Sequence, residues 1–183
     1  PDAMGNKEIT WETNGNFNAG IEFELFSQRL TGNVEYFVRK TTDMLFTFPL
    51  APSFGYSYYY ANVGDMRNMG VEMELTGTPI KTNDLEWNLR LNLTHYKNKI
   101  TYLPEKRKTL DLGGHGGYSS GSYFYGEGLP LYTYRLQKYA GVNENGEALY
   151  YVDVKDQNGK VTGRTTTTNY SSATYYDCGT ALP

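Results

Sequence analysis

Cysteine is nearly absent from this chain. Cys178 stands alone, so no internal disulfide can brace the fold, and cysteine usage does not settle the redox compartment. Histidine is almost as scarce. His95 and His115 lie on different segments, and neither has a cysteine or an acid at metal-ligand spacing, so no metal or cofactor site is read from the sequence. There is no phosphate loop ending in Gly-Lys-Ser/Thr, no nucleophile elbow and no set of residues that could act as a catalytic constellation, so an enzyme is not expected. "DVKDQNGKVTG" comes nearest to a calcium loop. No acid lies two residues before Asp156, however, and Thr165 holds the place of the bidentate glutamate, so a hairpin turn is expected there. A surplus of one charge is missing too: the net charge of -3 argues against nucleic acid as a partner. No run reaches the roughly 18 apolar residues of a membrane-crossing helix, although barrel strands, short and half polar, need no such run.

What is present favours strands. Tyrosine at 18 and phenylalanine at 8 supply an amphipathic aromatic set, and much of the 39% hydrophobic content is tyrosine rather than aliphatic core. Four segments alternate with period two. In the first, Phe17, Ala19, Ile21, Phe23 and Leu25 share one face, while Asn16, Asn18, Gly20, Glu22 and Glu24 share the other. The second sets Leu30, Gly32, Val34, Tyr36 and Val38 against Thr31, Asn33, Glu35, Phe37 and Arg39. The third sets Val71, Met73 and Leu75 against Glu72, Glu74 and Thr76. In the fourth, Leu85, Trp87, Leu89, Leu91 and Leu93 oppose Glu86, Asn88, Arg90, Asn92 and Thr94. On a helix the same residues would spread round the circumference. The expected strands are about 14–26, 29–40, 68–77 and 85–97, each near the length that a tilted strand needs to cross a bilayer.

The connections alternate as well. "FSQR" and "TPIKTND" are tight turns, whereas Thr41 to Ala61 and everything after Ile100 are long. Short turns on one side and long loops on the other are the pattern of an outer-membrane barrel. A soluble antiparallel sheet with one wet face also alternates. Against it stand apolar faces without charge over the spans and loops too long for a compact domain of this size. Extending the parity of Val71 upward puts Met69, Arg67 and Asp65 on the apolar face. "NVGDMRN" is therefore read as the rim of the span and "MGVEMELTG" as the span itself, because Arg at mid-depth toward lipid costs roughly 2–4 kcal/mol. Residues 101–183 are expected as a long loop region with one or two small hairpins. The Asn-Gly pairs at 145–146 and 158–159 are hairpin cues, pairing 148–155 with 160–167. "LGGHGGYSSGSYFYGEG" reads as a flexible loop.

Tyrosine clusters are the remaining chemical feature: "YSYYY" at 56–60, "YFY" at 123–125 and "YTY" at 132–134. Tyr56, Tyr58, Tyr59, Tyr60, Tyr123 and Tyr125 could meet a sugar ring, a peptide or a protein partner, or could equally pack on one another.

"ITWETNGNFNAGIEFELFSQRLTGNVEYFVRKTTDML", "NVGDMRNMGVEMEL", "LEWNLRLNLTHYKNKI" and "EGLPLYTYRLQKYAGVNENGEALYY", in this order, resemble the SusC/RagA family of TonB-dependent outer-membrane transporters. The resemblance implies an all-β fold: antiparallel strands from a transmembrane barrel of about 22 strands, with a plugged lumen and long extracellular loops. It implies a place in the bacterial outer membrane, contact with its lipid, uptake of glycans or peptides, a SusD-like lipoprotein partner outside, and TonB acting through the plug. The chain then covers two membrane-spanning hairpins (1–100) and loops (101–183) of the later barrel, lacks the plug, and is not transport-competent alone. The echo between "GIEFEL" at 20–25 and "GVEMEL" at 70–75 matches Glu22 and Glu72 to barrel glutamates that pair with plug arginines in related transporters, with Glu24 and Glu74 as weaker matches. The plainer reading of all four is a wet face. The rival for the whole chain is a soluble β-rich carbohydrate-binding module, in which the Leu and Phe faces form an internal core.

Overall fold

The computed structural model describes residues 2–182. The chain folds as two compact units, one ending at Tyr102 and the other beginning at Leu103.

The first unit holds seven strands: β1 (Ala3–Met4), β2 (Thr13–Leu25), β3 (Leu30–Thr42), β4 (Leu45–Pro49), β5 (Tyr58–Asn62), β6 (Asp65–Lys81) and β7 (Glu86–Tyr102). Four of them form an antiparallel sheet in the order β2-β3-β6-β7. Strict alternation puts every apolar set on one face, as a period of two requires. Phe26, Ser27 and Gln28 all take left-handed backbone to turn the chain between β2 and β3, where Leu25 pairs with Leu30. Thr82 closes the β6–β7 turn: its amide donates to the Leu85 carbonyl at 2.8 Å and its hydroxyl accepts from the Leu85 amide at 3.0 Å.

β6 and β7 are 17 residues each, longer than the alternation alone indicated. Asp65 and Arg67, read as rim, already lie within the ladder, where Asp65 pairs with Tyr102 and Arg67 with Lys99. The stretch 41–61, read as one long loop, carries a hairpin. β4 pairs with β5 from Leu45–Asn62 to Pro49–Tyr58, and β1 joins β5 in parallel. "LFTF" and "YYYAN" are β-favouring on both sides of a break, and Gly55 at φ 71 turns the chain between them.

The second unit holds, besides short 3-10 turns at Glu105–Arg107 and Tyr170–Ser172, the strands β8 (Leu110–Leu112), β9 (His115–Ser120), β10 (Tyr123–Gly126), β11 (Thr133–Gln137), β12 (Tyr139–Val142), β13 (Ala148–Lys155), β14 (Val161–Thr167) and β15 (Tyr175–Thr180). One sheet runs β15-β11-β10-β9-β8 and the other β12-β13-β14. The Gly/Ser/Tyr-rich stretch read as a flexible loop is the meander β8–β9–β10. Its glycines serve the turns, with Gly113, Gly114 and Gly121 at positive φ, or a close approach, with Gly117 against the Tyr125 backbone. Leu112, Phe124 and Leu129 form a small core beneath it. Both Asn-Gly pairs sit in turns, Gly146 at φ 82 and Gly159 at φ 78. The carboxylate of Asp156 accepts from the Asn158 and Lys160 amides, each at 2.9 Å, so this acid is engaged by its own hairpin.

Candidate functional site

The polar face of the four-stranded sheet is ruled into cross-strand rows. Gly20, Glu35, Glu72 and Thr94 make one row; Glu22, Asn33, Glu74 and Asn92 make the next; Glu24, Thr31, Thr76 and Arg90 follow. "GIEFEL" and "GVEMEL" therefore do not fall level with each other. Glu72 is level with Gly20, and Glu22 is level with Glu74. The two repeats share a pattern in sequence but sit two positions apart in the sheet.

Glu35 completes the site and was missed as a candidate by sequence reading. It lies directly opposite Glu72 on the neighbouring strand, and like charges so placed repel. Half of this contact was readable: the tight β2–β3 turn fixes Glu35 opposite Gly20. The other half was not, because a long connection separates β3 from β6. Asn33, Glu35, Glu72, Glu74, Asn92 and Thr94 line a depression of about 270 Å³. Glu74 meets the Arg90 guanidinium at 3.2 Å, an exposed pair of little worth in water, and Glu24 accepts from the Gln28 amide at 3.2 Å. At the far end of the face Phe37 is buried over Gly70, and the Arg39 guanidinium lies 5.1 Å from its ring centre.

The opposite face is apolar and bare. Phe17 is 59% exposed and Ile21 71%, and Leu89, Leu91 and Leu93 are each about half exposed. The soluble rival expected these side chains in an internal core, and they are not in one. Among the described residues no group of His, Cys, Asp or Glu is arranged to hold a metal ion.

The tyrosines divide. Tyr56, Tyr58 and Tyr59 are half-buried around the β4–β5 hairpin and Tyr60 is exposed, edge-on to Tyr58 at 5.6 Å. Tyr123 and Tyr125 belong to a chain of rings in the second unit. Tyr134 lies 5.2 Å from Tyr123, Tyr132 touches both Tyr123 and Tyr125 edge-on, and Tyr118 stacks on Tyr125 at 5.1 Å. Tyr125 is buried, so its ring serves packing in this conformation. Burial pushes the Tyr118 hydroxyl up to about 12. Nearby, the Glu127 carboxylate accepts from the Leu103 amide and from Lys108, each at 3.0 Å, and these bonds, the amide first, hold its carboxyl below the ordinary range.

An unclosed antiparallel sheet, bare and apolar on one face and glutamate-rich on the other, has the make-up of a piece of membrane-barrel wall. The family described as TonB dependent receptor-like, beta-barrel, matches residues 2–180, and the chain belongs to it. Within that family the chain is SusC/RagA-like. It is 29% identical over 148 residues to TonB-dependent receptor P39 of Formosa agariphila, covering 81% of this chain and 13% of that protein. It is 34% identical over 100 residues to TonB-dependent receptor SusC of Bacteroides thetaiotaomicron, covering 54% of this chain and 10% of SusC. The RagAB peptide importer in its closed-closed state superposes with a TM-score of 0.75 at 28% identity, covering 94% of this chain and 18% of that one. A second structure, of the RagAB peptide transporter, gives 0.75 at 30% identity, over 95% and 19%. The chain thus spans less than a fifth of the length of these relatives. Receptors of this family are outer-membrane proteins, not enzymes.

Proposed function

We propose that this chain is a stretch of wall in a TonB-dependent importer, with β2, β3, β6 and β7 crossing the outer membrane as two hairpins. The apolar face meets lipid and the glutamate face lines the lumen. The tight turns at 26–29 and 82–85 lie on the periplasmic side; the β4–β5 hairpin and the second unit lie outside. The observation that carries this reading is the bare apolar face, which would be costly in water and is matched to hydrocarbon. The parent protein should fractionate with outer membranes and show heat-modifiable gel mobility. A parent that stays soluble without detergent and shows no heat shift overturns it.

The lumenal glutamates supply the plug contact. Glu35 and Glu72 face one another, with Glu22 and Glu74 one row away; Arg90 of the same sheet engages Glu74, and the repelling Glu35–Glu72 pair is the part of the set that calls for a cation from outside the sheet. Plug arginines are the fitting partners. The nutrient we favour is a peptide rather than a glycan, because the RagAB peptide importer is matched across nearly the whole chain. A SusD-like lipoprotein closes the barrel from outside, as the two-component RagAB structures suggest for this chain. Of the six candidate tyrosines Tyr60 is the one left exposed, on its hairpin, to meet it or the cargo. Uptake of labelled peptides against oligosaccharides by cells carrying the parent decides the cargo, and oligosaccharide uptake alone reverses the preference.

A further inference from the structure

The apolar face ends in a basic cluster that neither the glutamate face nor the import reading uses. Its last apolar row, Phe17–Val38–Met69, finishes on Lys97 in β7. The next row outward is Gly15–Lys40–Arg67–Lys99. Three cations thus stand directly opposite one another on three adjacent strands, with a fourth one position below. All four are exposed, and among the described residues none has an ion-pair partner. Two acids at this end are engaged elsewhere: Asp65 accepts from the Asp43 amide at 3.1 Å and Glu12 from the Leu45 amide at 3.1 Å.

Like charges directly across a ladder weaken it, so an unneutralised row is a net cost to the sheet. It stands where the hydrophobic band stops, and there a cation toward lipid costs little. From Met66 to Gly77 and across the strands facing it, the outward side carries these four cations and, among the described residues, no acid; Asp65, at the end of the ladder on the same parity, is taken up by the Asp43 amide. We propose that Lys40, Arg67, Lys97 and Lys99 form a docking site for the phosphate of an anionic lipid headgroup in the leaflet at the long-loop end of the barrel. Arg67, at the centre of its row, presents the planar fork that takes two phosphate oxygens at once, and the lysines on either side act as point charges. The fatty chains of the same lipid then run down the apolar rows below, so one ligand satisfies both halves of the surface.

This rests on the apolar face being the lipid-facing one, and the detergent and gel-mobility tests above examine that separately. The test of the site uses the full-length parent in neutral detergent, with native mass spectrometry counting retained phosphatidylglycerol against phosphatidylcholine. Wild type should retain phosphatidylglycerol preferentially. Lys40→Gln/Arg67→Gln/Lys99→Gln should lose that preference, each cation accounting for about fivefold. Its gel-mobility midpoint in neutral detergent should be no lower than wild type, because three repelling charges have gone. Equal retention of phosphatidylglycerol by both proteins overturns the proposal. So does displacement of the lipid by equimolar inorganic phosphate, which would make the site one for free phosphate. Should the triple variant fail to fold, Lys40→Gln and Lys99→Gln singly must each lower retention, and wild-type retention in both is equally fatal.

Discussion

Gly70 and Gly32 bring their neighbours closer than any side chain would permit. A Cβ on Gly70 would lie 2.5 Å from the His95 carbonyl oxygen and 2.9 Å from the Phe37 ring; on Gly32 it would lie 2.7 Å from the Glu74 carbonyl oxygen and 2.8 Å from the Phe23 ring. In both places an aromatic ring from the adjacent strand covers the bare backbone, restoring the packing that glycine forgoes. Gly70→Ala should therefore destabilise the barrel by about 1–3 kcal/mol, read as a lower gel-mobility midpoint. Gly77, whose nearest contacts stand 3.9 Å away, should accept alanine without loss. The glutamates have a test with opposite signs in two preparations. Glu72→Gln removes the repulsion with Glu35, so a barrel stripped of its plug should gain stability while plug retention and uptake fall. Unchanged plug retention and uptake in Glu22→Gln and Glu72→Gln would take these residues out of the site. Two titrations follow from the second unit. Glu127 has a depressed carboxyl, so its hold on the Leu103 amide is present above the ordinary carboxylate range and is lost as pH falls through the lowered value. Hydrogen exchange at Leu103 should stay slow through mild acid and quicken only below that range. Tyr118 is raised to about 12, so its contribution is complete below the ordinary tyrosine value of about 10 and is lost between there and 12. Tyr58, Tyr123, Tyr125 and Tyr176 are raised as well, so an ultraviolet titration should show several tyrosines ionising late, and Tyr118→Phe should remove the component near 12.

At the scale of elements, legibility followed the constraint on each face. The four long strands could be read because one face is entirely apolar, and a period of two leaves little choice of which residues share it. Register within a hairpin could be read from its turn, as at Leu25–Leu30, but the β3–β6 register could not, and with it went the Glu35–Glu72 contact. Phe37 hid as an apolar residue on the polar face; its reason is Gly70 across the ladder, which no local pattern announces. The β8–β10 meander was unreadable for a different cause. Glycine signals freedom in a sequence, yet here Gly113, Gly114 and Gly121 each hold one definite left-handed turn. The β13–β14 hairpin shows the same economy and can be tested as an element. Gly159→Ala places a side chain at φ 78 at a cost of about 1–2 kcal/mol, and Asp156→Ala frees two turn amides. Either should speed hydrogen exchange along β14 while leaving the β8–β10 amides unchanged.

For the whole molecule the decisive fact is that the four-stranded sheet is open. The outer edges of β2 and β7 carry unpaired backbone groups beside a bare apolar face, a template for pairing with other chains. Produced alone and without detergent, the chain should associate, seen as light scattering that grows with concentration and is suppressed by micelles. A monodisperse monomer in plain buffer would contradict the lipid-facing assignment. The unequal ends of the two hairpins carry one more consequence. Leu30 pairs with Gly77, itself paired with Leu89, while the second hairpin closes at Lys81–Glu86, about three ladder positions farther along β7. With both turns at one membrane surface, that stagger is ~10 Å of strand over the ~9.6 Å between hairpins, a lean of roughly 45° from the bilayer normal. Each residue then climbs only ~2.3 Å, so a 17-residue strand reaches ~40 Å, well beyond a hydrocarbon band of ~25 Å. The upper third of β6 and β7 must stand clear of the hydrocarbon as a parapet, lifting the mouth of the pore above the lipid surface.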